Sequence, residues 1–150
     1  MFYSSLLALH VLTAVIWVGG MFFAYMALRP AAAEVLEPPQ RLSLWVATFK
    51  RFFPWVWLSI TCLLVSGLSM MFSLPKPPTH ILFMALLGIL MMLIFVFVYY
   101  VPYRTLKSAV ANENWADGGK SLAKIRALVA TNTILGLLTI VMATAGRNWF

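Results

Sequence analysis

Charge is what this 150-residue sequence has least of. Charged residues make up 10% of it, against roughly 25% in a typical soluble domain. Only four residues are acidic, and the stretches 1–28, 52–75, 77–103 and 127–146 hold no Asp, Glu, Lys or Arg at all. A proton-coupled transporter built on buried carboxylates is thereby disfavoured. The single cysteine, Cys62, excludes an internal disulfide. Mid-segment among Ile60, Thr61 and Leu63, it reads as a packing residue. No Ser-His-Asp arrangement, phosphate loop or zinc-ligand spacing is present, so no catalytic residue is assigned. Low-complexity tracts and internal repeats are also missing.

What is present is apolar surface. Hydrophobic residues make up 63% of the chain, and each charge-free stretch supplies the run of about 20 apolar residues that spans a hydrocarbon core. A soluble bundle would alternate apolar and charged faces, whereas these segments are apolar all round. The expected fold is all-α: an integral membrane four-helix bundle forming a single domain over 1–150, with helices at about 3–28, 54–74, 80–101 and 127–145. The first segment lacks a basic leader and exceeds the length of a signal core, so it reads as a retained helix.

The net charge of +7 follows the loops. Arg29, Arg41, Lys50 and Arg51 lie between segments one and two; Arg104, Lys107, Lys120, Lys124 and Arg126 lie between three and four. The opposite side holds only Lys76 and Arg147. This positive-inside asymmetry places both termini and the 2–3 loop outside the cytoplasm. It explains the basic excess through topology and attraction to anionic lipid, with no nucleic-acid partner required.

Prolines and polar residues mark the connections. Pro30 and Pro38-Pro39 break the first connector, and an amphipathic stretch from Arg41 to Phe53 follows. Pro54 is expected in the first turn of segment two, where its missing amide costs little. Pro75, Pro77 and Pro78 make an external turn, with Thr79 as expected N-cap of segment three. The ends of the Tyr103–Arg126 loop look helical, which extends segments three and four beyond the bilayer. Tyr3, Trp55, Trp57, Tyr99, Tyr100, Tyr103 and Trp149 near segment ends suit an aromatic belt. Gly19, Gly20, Ser66, Gly67, Gly88, Gly136, Ala143 and Gly146 are small residues that let helices approach closely in lipid; their faces also allow a homo-oligomer.

His10 and His80 are the residues in these apolar stretches that most readily ligate metal. They lie near the starts of segments one and three, which run in the same direction, so both belong near one membrane face. An intramembrane histidine is a functional candidate by default. His10 falls roughly 10 Å into its helix, while His80 lies closer to the headgroups. A b-type haem between facing helices is one use of such imidazoles. Trp17, seven residues after His10 and on its face, Gly20 and Asn132 are then candidate haem contacts; Asn132 also suits a bond to a neighbouring helix. Copper is the alternative. The chain has nine methionines, and Met70, Met71 and Met142 fall on the same side as the histidines. Soft thioethers with imidazoles suit Cu(I).

The string from His10 through Trp17, Gly19 and Gly20 to Phe23 resembles the first helix of the copper resistance protein D (CopD) family. Leu28-Arg29-Pro30-Ala31-Ala32, Arg51-Phe52-Phe53-Pro54-Trp55-Val56-Trp57, Ser66-Gly67, Ile125-Arg126, Asn132 and Leu135-Gly136-Leu137 continue the likeness, as in a short four-helix member. The resemblance implies a bacterial inner (plasma) membrane location and a link to copper. More distantly, the chain is similar to HemJ-type protoporphyrinogen oxidases, membrane haem proteins with a histidine in the first helix and another near the start of the third. Here Ile81-Leu82-Phe83 follows His80 where that family has a basic residue, and the family's intramembrane charges are missing.

Together these readings favour a multi-pass membrane protein binding haem b near its outer face through His10 and His80, for electron transfer between quinone and a periplasmic redox partner. Any enzymatic activity would be that of a haem-dependent membrane oxidoreductase. The alternatives are copper binding or transport and a non-catalytic accessory subunit.

Overall fold

The helix that carries the second span begins at Pro38 rather than Pro54. Pro38 and Pro39 open it where a missing amide is harmless. Glu37 and Gln40 close a reciprocal capping box over its first turn. The amphipathic stretch after Arg41 is continuous with the span because its buried stripe, Leu42, Trp45, Phe49, Phe53, Val56 and Ile60, keeps helical spacing across both. Pro54 therefore sits inside the helix. Such interior prolines are tolerated in membrane helices, where neighbouring groups take up the freed backbone.

The structure, a computed structural model, describes residues 2–146. Helix α1 (Phe2–Phe23) passes through a π-helical turn (Ala24–Leu28) into α2 (Arg29–Val35). Helices α3 (Pro38–Phe72), α4 (Thr79–Tyr100), α5 (Pro102–Ala111) and α6 (Trp115–Ala145) follow. No strand occurs among the described residues. Four helical runs, Tyr3–Val35, Pro38–Phe72, Thr79–Ala111 and Trp115–Ala145, are long and apolar enough to cross a membrane. The protein is an all-α, multi-pass membrane protein.

The connections differ in detail from expectation. Thr79 is the first residue of α4 rather than its cap; extended Pro78 precedes it, and the Pro78 carbonyl accepts from Ile81 at 3.0 Å. Pro102 ends α4 but opens α5, an amphipathic helix that buries Tyr103, Leu106 and Ala109. Glu113 takes a left-handed conformation (φ 55°) in the turn before α6. The Asn114 side-chain Oδ1 accepts the Asp117 amide at 3.2 Å, capping α6. Segments three and four thus extend well past the apolar runs, as their loop composition suggests.

Helix α1 packs chiefly on α3, and α4 chiefly on α6. Small residues set several of these approaches. A Cβ on Gly20 would run into the Phe52 ring, and one on Gly136 would lie 2.8 Å from Val18 Cγ2. Gly19 and Gly88, by contrast, have open space around them. Where the helices meet toward the end that carries α2 and α5, an aromatic stack fills the interior. Phe49 and Phe53 stack at 4.9 Å, and Phe53 meets Phe95 at 5.3 Å and Tyr103 at 4.8 Å. Trp57, Tyr99 and Tyr103 belong to this stack, so they serve the core. Tyr3, Trp55 and Tyr100 are exposed, as a belt requires; Trp149 lies outside the described residues. The outer face presents Leu12, Val15, Leu86, Leu93 and Ile134, all more than half exposed, which suits contact with lipid chains.

Candidate functional site

The two helix pairs leave a cavity of about 180 Å³ between them, in the half of the bundle nearer the Ser73–Pro78 turn. All four long helices line it. Helix α1 contributes His10, Ala14, Trp17 and Val18, four positions that share one face by the helical repeat. Helix α3 contributes Gly67 and Met71, α4 contributes Met84, Met91 and Met92, and α6 contributes Gly136. Apart from His10 and Thr139 its walls are apolar.

His10 is fixed by one hydrogen bond and one close contact. Its Nδ1 lies 2.9 Å from Ser66 Oγ. Ser66 is fully buried, and its hydroxyl also lies 2.5 Å from the Cys62 carbonyl oxygen. A carbonyl can only accept, and serine has one proton to give. Ser66 therefore donates to Cys62 and accepts from His10, which puts the imidazole proton on Nδ1. In the neutral ring Nε2 then carries a free lone pair, the form of histidine that binds metals, with its other nitrogen held by a neighbouring acceptor. Beneath the ring lies Gly67, where a Cβ would come 3.1 Å from His10 Cε1.

The other predicted site residues fall in different places. Trp17 is buried, meets Phe95 edge-on at 6.2 Å and lines the cavity with His10. Gly20 faces Phe52 on α3 and lies outside the cavity lining. Asn132 donates from Nδ2 to the Met91 carbonyl at 3.1 Å, bonding α6 to α4. Its Oδ1 is buried without a partner, and the residue borders a separate void of about 30 Å³. His80 is not part of the His10 cavity lining. It lies at the second residue of α4, where a Cβ on Gly146 would come 3.0 Å from His80 Cβ and 3.6 Å from Met142 Cε. Met142 and His80 thus share one neighbourhood and His10 and Met71 another. Met70 is buried and does not line the His10 cavity.

Sequence reasoning missed Met84, Met91 and Met92. The signal is present: Met84 and Met91 are seven residues apart with Gly88 between them, so they share one face of α4. Among the described residues no group of three or more His, Cys, Asp or Glu side chains could hold a metal. The donors gathered around the cavity are instead one imidazole and several thioethers, a soft set.

A chain whose described residues include four helices long and apolar enough to cross a membrane, with one histidine lining a methionine-rich cavity between them, belongs to the class of multi-pass membrane proteins. A family model described as copper resistance protein D matches residues 46–145, two thirds of the sequence, and the chain belongs to that family. Membership relates it to copper resistance. The match covers Ser66, Met71, Met84, Met91 and His80, whereas α1 with His10 lies before it. No curated protein and no solved structure matches the chain, so the likeness to HemJ-type oxidases gains no support.

Proposed function

We propose that this protein binds Cu(I) as cargo in the cavity between its helix pairs, with His10 Nε2 as the nitrogen donor and thioethers of α3 and α4 as sulfur donors. The observation that carries this reading is the pair of contacts at Ser66 Oγ, 2.5 Å from the Cys62 carbonyl oxygen and 2.9 Å from His10 Nδ1, which supports the neutral tautomer with a free Nε2 lone pair. Neutral imidazole and thioether are the ligands that suit Cu(I), and apolar walls disfavour hydrated hard cations. The charge asymmetry supports a site in the outer half of the membrane, so copper would enter from outside the cytoplasm. The family likeness supports the bacterial inner membrane as its location.

Haem b fits these residues less well. A cavity of about 180 Å³ is close to the ~150 Å³ apolar cavity that holds a benzene, which is small for a porphyrin. A bis-histidine haem would also need His80 beside His10, and His80 lies against Gly146 instead. Electron transfer with quinone or a periplasmic partner would depend on that haem.

The test is anaerobic loading of the detergent-purified protein with Cu(I), desalting and metal quantification. Wild-type protein should retain stoichiometric copper, His10→Ala should lose it, and His80→Ala should keep it. Equal retention by wild type and His10→Ala sinks the proposal. A Soret band in the protein as isolated would replace copper by haem.

A further inference from the structure

At the opposite end of the bundle, Arg29, Arg41 and Arg126 line one cavity of about 540 Å³. They come from α2, α3 and α6 respectively. Arg29 and Arg41 are half-buried and Arg126 is exposed. No aspartate or glutamate lines the space, and neither partner of the one ion pair among the described residues, Lys120 with Asp117, is a lining residue. A guanidinium carries five donors and stays charged at every relevant pH. Three of them around one space repel each other unless an anion is shared between them.

Other features point to an amphiphilic ligand rather than to bulk solvent. The remaining wall includes Tyr25, Leu42, Trp45 and Trp115, so the cations face apolar and aromatic surface. The π-helical turn of the first span delivers Tyr25 to this wall; widened turns of this kind recur at functional sites. Arg29 is held over the Tyr25 ring at 4.8 Å, which orients its guanidinium. On α6, Gly119 lines the cavity, is exposed, and has room for a Cβ with nothing within 4 Å. Its size falls within the roughly 300–1,000 Å³ of ordinary ligand pockets. The charge-free stretches end at Leu28 and begin again at Ala127, so Arg29 and Arg126 mark the level where hydrocarbon gives way to headgroups.

We propose that this cavity is a binding site for the phosphate headgroup of an anionic phospholipid, shared among Arg29, Arg41 and Arg126. Basic pockets between membrane helices recognise lipid headgroups in this way, and guanidinium pairs phosphate oxygens two at a time. This cavity shares no lining residue with the His10 cavity at the other end.

Native mass spectrometry of detergent-released protein titrated with phosphatidylglycerol or phosphatidylcholine tests this. Phosphatidylglycerol should bind preferentially, and Arg41→Gln with Arg126→Gln should weaken it about thirtyfold, at about 1 kcal/mol per cation. The double variant Lys50→Gln with Arg51→Gln removes the same charge from exposed positions outside the cavity and should leave binding unchanged. Gly119→Phe, which adds bulk at a lining position without altering charge, should also abolish the preference. Equal binding of the two lipids, an equal loss in the Lys50/Arg51 control, or no loss in Gly119→Phe would each overturn the proposal. Displacement of phosphatidylglycerol by millimolar inorganic phosphate would assign the cavity to a soluble phosphate instead and refute the lipid.

Discussion

Replacing Ser66 by alanine removes the one group that sets the proton position on His10. In the wild type the Ser66 hydroxyl is committed to the Cys62 carbonyl at 2.5 Å and accepts from Nδ1 at 2.9 Å. Without it, the Cys62 carbonyl keeps its main-chain partner, but Nδ1–H loses its acceptor. The ring is then free to move its proton to Nε2 or to turn in the cavity, and either change removes the lone pair proposed to bind copper. Loss of such an outer partner typically costs 10–100-fold in metal affinity, or about 1.4–2.7 kcal/mol. Because His10 is only half-buried, water can replace part of the lost bond, so the stability cost should fall at the low end of about 1–3 kcal/mol. Anaerobic competition for Cu(I) against a chromogenic chelator would measure the affinity, and ¹⁵N NMR of labelled histidine would report the tautomer directly. Copper affinity unchanged in Ser66→Ala, or a wild-type His10 protonated at Nε2 in the metal-free protein, would refute the reasoning.

Two further outcomes follow from packing and topology. Gly20→Ala places a methyl group against the rigid Phe52 ring and should cost about 1–3 kcal/mol by overpacking, read as a lower thermal midpoint in detergent; Gly19→Ala, with open space around it, should not, and equal midpoints would show that α1 and α3 do not meet there. Alkaline phosphatase fused after Gly146 should be active and the same enzyme inserted at Asn112 inactive, since nine basic residues flank the 1–2 and 3–4 connections against two on the other side; the reverse pattern would invert the orientation of both cavities.

The membrane class was legible because it depends on composition, which no tertiary contact can change. Charge-free runs of spanning length can satisfy their backbone only as helices in lipid. Helix ends were less legible. The capping box of Glu37 and Gln40 and the buried stripe through Leu42, Trp45 and Phe49 carry α3 well upstream of the apolar run, and a search for hydrophobic spans does not see an amphipathic extension. Likewise Trp57, Tyr99 and Tyr103 look like belt residues by position, and only packing draws them into the aromatic core.

For the site, the sequence by itself determined that His10 and His80 are the notable ligands of the apolar stretches and that methionine is abundant. It could not say which of them meet, because that depends on how the helices rotate and pair. Close contact of α1 with α3 brings His10 to Ser66 and Gly67. Pairing of α4 with α6 turns His80 toward Gly146 and away from that cavity, while Met84 and Met91 turn toward it. Side-chain chemistry was written in the chain, but the partner that fixes the histidine's proton, fifty-six residues away, exists only once the helices are packed.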